Sequence, residues 1–242
     1  MRKTPCMAAI AAALFSLTAS SPYAGQAGTS ASPAAGRGAA QSPAAPIRLI
    51  SMTLQNNMRL PLTQDSITTP NVDLQLYGDG RNIIVATGSG ANFPRTFFGL
   101  CKGPCGFSLR DKNYYFDLRG SANIKFTTIV SGFHRVRPII KLPDGTLMIG
   151  DQAEGSVVDY HQYTISFSEC RWLRLDPMRG VTLGGTWVVP DLSKVDEVGY
   201  FDVIPGSGAW TEGLAVEKQP APPAGGWIAV SAFELWGNPV TR

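Results

Sequence analysis

The chain has 242 residues, of which 21 are Lys or Arg and 18 are Asp or Glu, and its formal net charge is +3 at pH 7. Three basic residues (Arg2, Lys3 and Arg37) and no acidic residue precede residue 47, so the remainder carries 18 charges of each sign and is formally neutral. Nucleic-acid-binding domains are typically basic, and anionic membranes attract basic surfaces. The composition therefore argues against nucleic acid as a partner and against electrostatic attachment to membranes.

The first 46 residues have the pattern of a leader followed by a tether. In MRKTPCMAAIAAALFSL, two basic residues precede an apolar run over 7–17 that is too short to span a bilayer, which is typical of a secretory signal peptide. Small residues follow, and we predict a signal peptide over 1–27. The stretch 28–46, GTSASPAAGRGAAQSPAAP, predicts a flexible tether because it has too few apolar residues to form a core. No later segment is long and apolar enough to cross a membrane, so we expect an exported protein, periplasmic or extracellular.

Residues 47–242 predict a single all-β domain. Short runs rich in Val, Ile, Phe, Tyr and Thr alternate with Gly, Pro, Asp and Asn, and Pro143-Asp144-Gly145 is a hairpin signal. Many short strands at this spacing are typical of a β-sandwich or barrel. The predicted strands are 47–54, 72–77, 82–86, 114–118, 122–130, 133–142, 146–150, 163–167, 170–175, 195–204 and 227–236.

Three cysteines remain once Cys6 is removed with the signal peptide. Cys101 and Cys105 flank a Lys-Gly-Pro turn in GLCKGPCGF, and a disulfide between them is the expected state in an oxidising compartment. Cys170 then stays free and buried; the alternative is that Cys170 pairs with one of the two. The spacing is not Cys-x-x-Cys, and zinc requires four ligands, so a redox centre and a metal site are both disfavoured.

The order YYFDLRGSANIKFTTIVSGFHRVRPIIKL, with the closing LSKVDEVGYFDVIPGSG and GGWIAVSAFELWG, resembles a galactose-binding-like jelly roll of the carbohydrate-binding-module type. The resemblance covers about residues 114–237 and is one of pattern. It implies a jelly-roll-like β-sandwich that binds a glycan or polysaccharide. Modules of this kind often hold a structural Ca²⁺, so the resemblance alone implies such an ion here; the sequence contains no Asp-x-Asp-x-Asp loop that would bind it. We expect no other cofactor.

Catalysis has little support in the sequence. The chain has two histidines and no Gly-x-Ser-x-Gly elbow, which argues against a serine hydrolase. A glycosidase requires two carboxylates across a cleft, and Asp151 and Asp159 are the candidates for that role. A polysaccharide-cleaving enzyme therefore remains an alternative to a non-catalytic protein, as does a structural or protein-binding envelope domain.

Strand alternation predicts a candidate binding surface. If 122–130 and 133–142 pair as a hairpin around Ser131-Gly132, one face gathers basic side chains beside an aromatic ring. That pattern is also typical of a solvated sheet face, which is the alternative. Trp210 lies in a glycine-rich loop, IPGSGAWTEG, and Trp187, in LGGTWVVP, is intermediate between loop and strand. The predicted ligand-binding residues are Lys125, Phe133, Arg135, Arg137, Lys141 and Trp210.

Overall fold

Runs of β-branched and aromatic residues bounded by Gly, Pro and Asp form the strands of the protein in a computed structural model. The structure describes residues 44–56, 60–155, 157, 159–206 and 226–242. The predicted signal peptide, most of the predicted tether and Trp210 lie outside these residues. The described strands are β1 (Ile47–Ser51), β2 (Leu60–Pro61), β3 (Val72–Gly78), β4 (Ile84–Ala86), β5 (Arg95–Phe97), β6 (Cys105–Asp111), β7 (Tyr114–Asp117), β8 (Asn123–Val130), β9 (Arg137–Lys141), β10 (Leu147–Gly150), β11 (His161–Ser166), β12 (Trp172–Asp176), β13 (Val181–Val188), β14 (Glu197–Asp202) and β15 (Ile228–Thr241).

The strands form two antiparallel sheets. The eight-stranded sheet has the order β11-β8-β15-β5-β4-β2, with β1 and β7 also paired to β15. The seven-stranded sheet has the order β13-β12-β10-β9-β14-β6-β3. Three 3₁₀ helices, Gln64–Ser66, Gly80–Asn82 and Phe167–Glu169, are the helical elements of the described residues. The prediction of an all-β, jelly-roll-like sandwich is confirmed.

An aromatic cluster joins the two sheets. Tyr200 of β14 lies 4.9 Å, centroid to centroid, from Phe107 of β6 in its own sheet. From the opposite sheet, Phe126 of β8 and Phe233 of β15 approach the same ring at 5.7 and 5.4 Å. All four side chains are buried. Edge-on and tilted aromatic pairs at these distances add to the free energy gained by burial alone.

The turn predicted at Pro143-Asp144-Gly145 is confirmed, since it joins β9 to β10 and Gly145 adopts a φ of +87°. Two strands of the seven-stranded sheet, β6 and β13, are not among those predicted from the sequence. Strand β6 follows directly from the disulfide loop, and its alternating Phe107 and Leu109 were a signal for it. Strand β13 contains two adjacent glycines, which weaken the strand pattern.

The predicted hairpin between 122–130 and 133–142 is wrong. Strand β8 belongs to the eight-stranded sheet and β9 to the seven-stranded sheet, and the segment between them crosses from one sheet to the other. His134 and Val136, in that segment, are each 1% exposed and point into the interior. Burial of these two side chains carries the chain between the sheets instead of turning it back beside β8.

A buried hydrogen bond between a histidine and an aspartate anchors this crossing segment. His134 Nδ1 lies 2.5 Å from Asp202 Oδ2 at the end of β14, and both side chains are 1% exposed. Burial raises the pKa of Asp202, although the hydrogen bond with His134 acts in the opposite direction. The backbone N–H of Ile204 donates a further bond to Asp202. The pair connects two segments that are 68 residues apart in sequence.

The cysteines adopt the predicted pairing. Cys101 and Cys105 form a disulfide, and Cys170 is free and buried, so pairing of Cys170 with either of them is excluded in this structure. Burial, with a further contribution from the Asp151 carboxylate, raises the pKa of the Cys170 thiol from 9.0 to about 12. Cys170 is therefore a protonated core residue at neutral pH.

Loss of the buried His134–Asp202 pair is expected to destabilise the fold. Replacing His134 with Ala leaves the Asp202 carboxylate buried without its partner, which should lower the free energy of unfolding by about 3 kcal/mol in urea denaturation. His161→Ala is the matched control, because His161 Nε2 lies 3.3 Å from Glu154 Oε2 with its side chain 38% exposed. An exposed pair of this kind contributes less than about 1 kcal/mol. Equal losses in the two variants would contradict this role for the buried pair.

The Cys170 thiol predicts a specific alkaline destabilisation. Below pH 9 the thiol is protonated in both the folded and the unfolded chain. Above pH 9 the unfolded chain loses the proton while the folded protein keeps it, because the folded pKa is about 12. The free energy of unfolding should therefore fall as pH rises from 9 to 12, and more steeply in wild type than in Cys170→Ala. Parallel stability profiles for the two proteins over this range would refute the assignment.

Candidate functional site

The outer face of the seven-stranded sheet, the face turned away from the other sheet, carries the candidate site. Strand alternation sends Ile140 of β9 into the core between the sheets, and Arg137, Ile139 and Lys141 to the outer face. This face is not a plain solvated surface, because it has a buried apolar cluster of its own. The cluster consists of Ile139, Leu147, Ile149, Leu175 and Phe201.

A cavity of about 400 Å³ opens beside this cluster. It is built by β9, β10, β12 and β13 together with the segment that follows β14, so residues distant in sequence meet there. We call it the Trp187 groove. The lining residues that matter most for its chemistry are Arg137, Ile149, Leu173, Val181, Trp187 and Val203.

Trp187 supplies the aromatic surface of the groove. It lies on β13, an edge strand with eight exposed residues, and its side chain is 38% exposed. The Arg171 guanidinium lies 5.0 Å from the centre of the indole ring. Asp151 fixes that guanidinium, since its Oδ2 accepts from Arg171 Nε and its Oδ1 from the Arg171 backbone N–H, both at 2.8 Å. The indole is thus held in place by a cation–π contact whose cation is itself anchored.

Arg137 supplies the charge. It is half-buried in the wall of the groove, and its Nη1 donates to the carbonyl oxygen of Gly150 at 3.3 Å. Burial, followed by the positive charge of Arg135, lowers the pKa of Arg137. Asp151 lies near enough to act on it, but both of its oxygens are bonded to Arg171. Across the part of the chain that the structure describes, no carboxylate forms an ion pair with Arg137.

A buried carboxylate stands elsewhere on the same face. Glu197 of β14 is 2% exposed and accepts hydrogen bonds from Tyr77 Oη and Ser108 Oγ, each at 2.5 Å, while Lys141 Nζ lies 2.7 Å from its other oxygen. Burial and then the bond to Glu197 raise the pKa of Tyr77. The network links β3, β6, β14 and β9. Sequence reasoning missed Glu197 because its partners come from three other strands.

The structure divides the predicted binding residues among several places. Arg137 and Lys141 share the outer face as predicted, but Lys141 is neutralised by Glu197. Lys125 lies on the other sheet, with its Nζ 4.8 Å from the centre of the Trp236 ring. Phe133 is 86% exposed and lies, with the exposed Arg135, in the segment that crosses between the sheets. Trp210 is outside the described residues.

The two carboxylates suggested for catalysis, Asp151 and Asp159, lie in different environments. Asp151 is engaged by Arg171, and although burial acts to raise its pKa, the bonds from Arg171 outweigh it and lower the pKa overall. A general acid requires a raised pKa, so Asp151 lacks the property which that role needs. Asp159 is exposed in the segment that precedes β11.

The described ranges contain neither a cluster of metal-ligating side chains nor a membrane-spanning helix. No group of three or more His, Cys, Asp or Glu side chains there is placed to hold a metal ion. None of these residues belongs to a helix with the length and hydrophobicity required to cross a bilayer.

No protein-family model and no curated protein matches the chain. Solved structures of carbohydrate-binding modules do match it. A family 29 carbohydrate-binding module matches 74% of this chain and 86% of its own at 10% identity and a TM-score of 0.38. Another family 29 module, in complex with mannohexaose, matches 74% and 91% at 12% identity and a TM-score of 0.37.

The family 11 module of a cellulosomal cellulase from Clostridium thermocellum matches 69% of this chain and 83% of its own, at 14% identity and a TM-score of 0.35. These three structures are of the class that the sequence resemblance named. The likeness assigns no residue a role.

Proposed function

We propose that the chain is an exported, non-catalytic glycan-binding protein and that its binding site is the Trp187 groove. The observation that carries the proposal is an exposed, anchored indole beside a half-buried guanidinium, above an apolar floor. A sugar ring has an apolar C–H face and a rim of hydroxyls. The indole offers a surface for the first, and the Arg137 N–H groups donate to the second.

The dimensions of the groove support the proposal. A volume of about 400 Å³ lies within the range of small-molecule sites, which is about 300–1,000 Å³. The groove is open along the β13 edge, where Val181 is 49% exposed, so a chain of sugars has room to continue beyond it. An exposed apolar edge of this kind is uncommon in a strand with no ligand or partner.

The proposed site contains some, but not all, of the ligand-binding residues predicted from the sequence. Arg137 and its neighbour Arg135 remain, Trp187 is added, and the apolar floor takes the place of the single ring of Phe133. Lys125 and Lys141 leave the proposed site because each already has a partner, Trp236 and Glu197 respectively. Arg171 and Asp151 join it as positioning residues for the indole.

Export is part of the proposal, and it is supported by the leader over 1–27 and by the disulfide, since disulfides persist in oxidising compartments. Protein recovered from the periplasm or medium of a secreting host is expected to begin near residue 28. Alkylation in denaturant should modify one thiol, Cys170, without reductant and three thiols after reduction, as read by intact mass. An uncleaved product, or three reactive thiols before reduction, would count against export.

Substitution of Trp187 tests the site. On a glycan array followed by calorimetry, wild type is expected to bind at least one glycan, and Trp187→Ala should weaken that binding by about tenfold or more, because the stacking surface is lost. Trp187→Phe should retain part of it. Phe133→Ala is the matched control, since Phe133 is a more exposed aromatic side chain that does not line the groove.

Three outcomes would contradict this proposal. Absence of glycan binding by wild type would favour the protein-binding alternative. Equal affinities of wild type and Trp187→Ala would place the site elsewhere. Release of new reducing ends from the bound glycan by wild type would make the protein an enzyme.

A further inference from the structure

The charges around the Trp187 groove are unbalanced. Three arginines are near it: Arg137 in the wall, Arg135 two residues earlier, and Arg171 against the indole. Arg171 is neutralised by Asp151 at 2.8 Å. Neither Arg135 nor Arg137 forms an ion pair with a carboxylate in the ranges that the structure describes, so direct pairing neutralises neither charge at this end of the sheet.

Arg137 also has unused donors. A guanidinium presents five N–H donors in a planar fork, and one bond is made here, to the Gly150 carbonyl oxygen. The side chain is half-buried in the groove that Ile149 and Leu173 also line, so water reaches only part of the fork. Partial burial of a cation near a second cation is costly unless an anion compensates for it. The lowered pKa of Arg137 reflects the same cost.

The chain beyond the groove is not broadly basic. On the same face Lys141 is matched by Glu197, and across the sheet edge Arg179 lies beside Asp176. From residue 47 onward the chain is formally neutral. The groove is therefore not one part of a broadly basic surface that would attract any polyanion. Its positive charge is placed beside a stacking surface.

We propose that the Trp187 groove selects glycans that contain uronic acid residues, with Arg137 as the residue that determines this specificity. The inference rests on the glycan-binding function proposed above and names its substrate class. A sugar carboxylate is planar and matches the Arg137 fork in a bidentate arrangement, while the sugar ring lies on Trp187. Arg135 adds long-range attraction. A neutral sugar offers hydroxyls alone and leaves the charge uncompensated.

Matched glycan pairs test the inference. Oligogalacturonate, oligomannuronate and oligoglucuronate are each compared by calorimetry with the same oligomer after its carboxyl groups have been reduced to neutral hydroxymethyl groups. Wild type is expected to bind the acid member of at least one pair about tenfold more tightly than its reduced counterpart. Raising the salt concentration should narrow that difference, because the attraction to the exposed Arg135 is screened.

Two substitutions assign the preference to Arg137. In Arg137→Gln the ratio of acid to neutral affinity should fall to about one, while binding that depends on Trp187 persists. Arg135→Gln, at an exposed position that poses little risk to folding, should reduce the ratio in part. Arg174→Gln is the control, because Arg174 lies on β12 next to the groove residue Leu173 and points to the opposite face. It removes the same charge and should leave the ratio unchanged.

The possible failures can be told apart. If wild type binds neutral and acidic members equally, or neutral ones better, glycan binding stands and acid selection is overturned. The inference is also overturned if the preference for the acid member survives in Arg137→Gln. If sulfated oligomers bind more tightly than uronic-acid oligomers, the preferred anionic group is a sulfate ester and not a carboxylate. That result would also overturn the inference. Failure to bind any glycan would remove the proposed function itself.

Discussion

The packing of Tyr200 between the sheets is the constraint on which the rest of the structure depends. Its ring contacts Phe107 in its own sheet and Phe126 and Phe233 in the other. Because side chains alternate along a strand, a Tyr200 that points inward places Phe201 on the outer face. Phe201 is paired in register with Arg137 of β9. The residue that unites the sandwich thereby also fixes which face receives the Arg137 guanidinium.

Most buried or half-buried ionisable side chains in the described residues have a side-chain partner. Some of these pairs lie between the two sheets and others on the outer face of the seven-stranded sheet. His134 and Asp202 pair inside the sandwich, where they hold the crossing segment to β14. Glu197 binds Lys141, Tyr77 and Ser108 on the outer face. These side-chain contacts link β3 to β9, two strands that do not pair with each other through backbone hydrogen bonds. Arg137 differs in having a single backbone carbonyl as its partner. That contrast makes it the charge best suited to a ligand.

The disulfide contributes to the groove from a distance. Pro104, inside the loop that the disulfide closes, packs against Gly180 at the start of β13. A Cβ atom on Gly180 would lie 2.1 Å from the Pro104 Cβ, and Gly180 has a φ of +63°, so both space and backbone conformation favour glycine. Gly180 in turn borders the groove. A short covalent loop, which adds little to global stability, thus supports the turn from which the Trp187 strand begins.

The sequence by itself determined the features that depend on neighbouring residues. Turn chemistry located the hairpin at Gly145, a four-residue spacing placed the disulfide, and period-two alternation set Arg137 and Lys141 on one side of their strand. The sequence did not determine which sheet each strand joins. The predicted binding surface therefore combines Lys125 with Arg137 and Lys141, although Lys125 lies on the other sheet. Nor did the sequence indicate that Glu197 neutralises Lys141, or that Trp187 and Arg137, 50 positions apart, line one groove. Those results depend on long-range packing, above all the burial of His134 against Asp202 and of Tyr200 between the sheets, because a local pattern specifies the two faces of a strand but not the strands beside it.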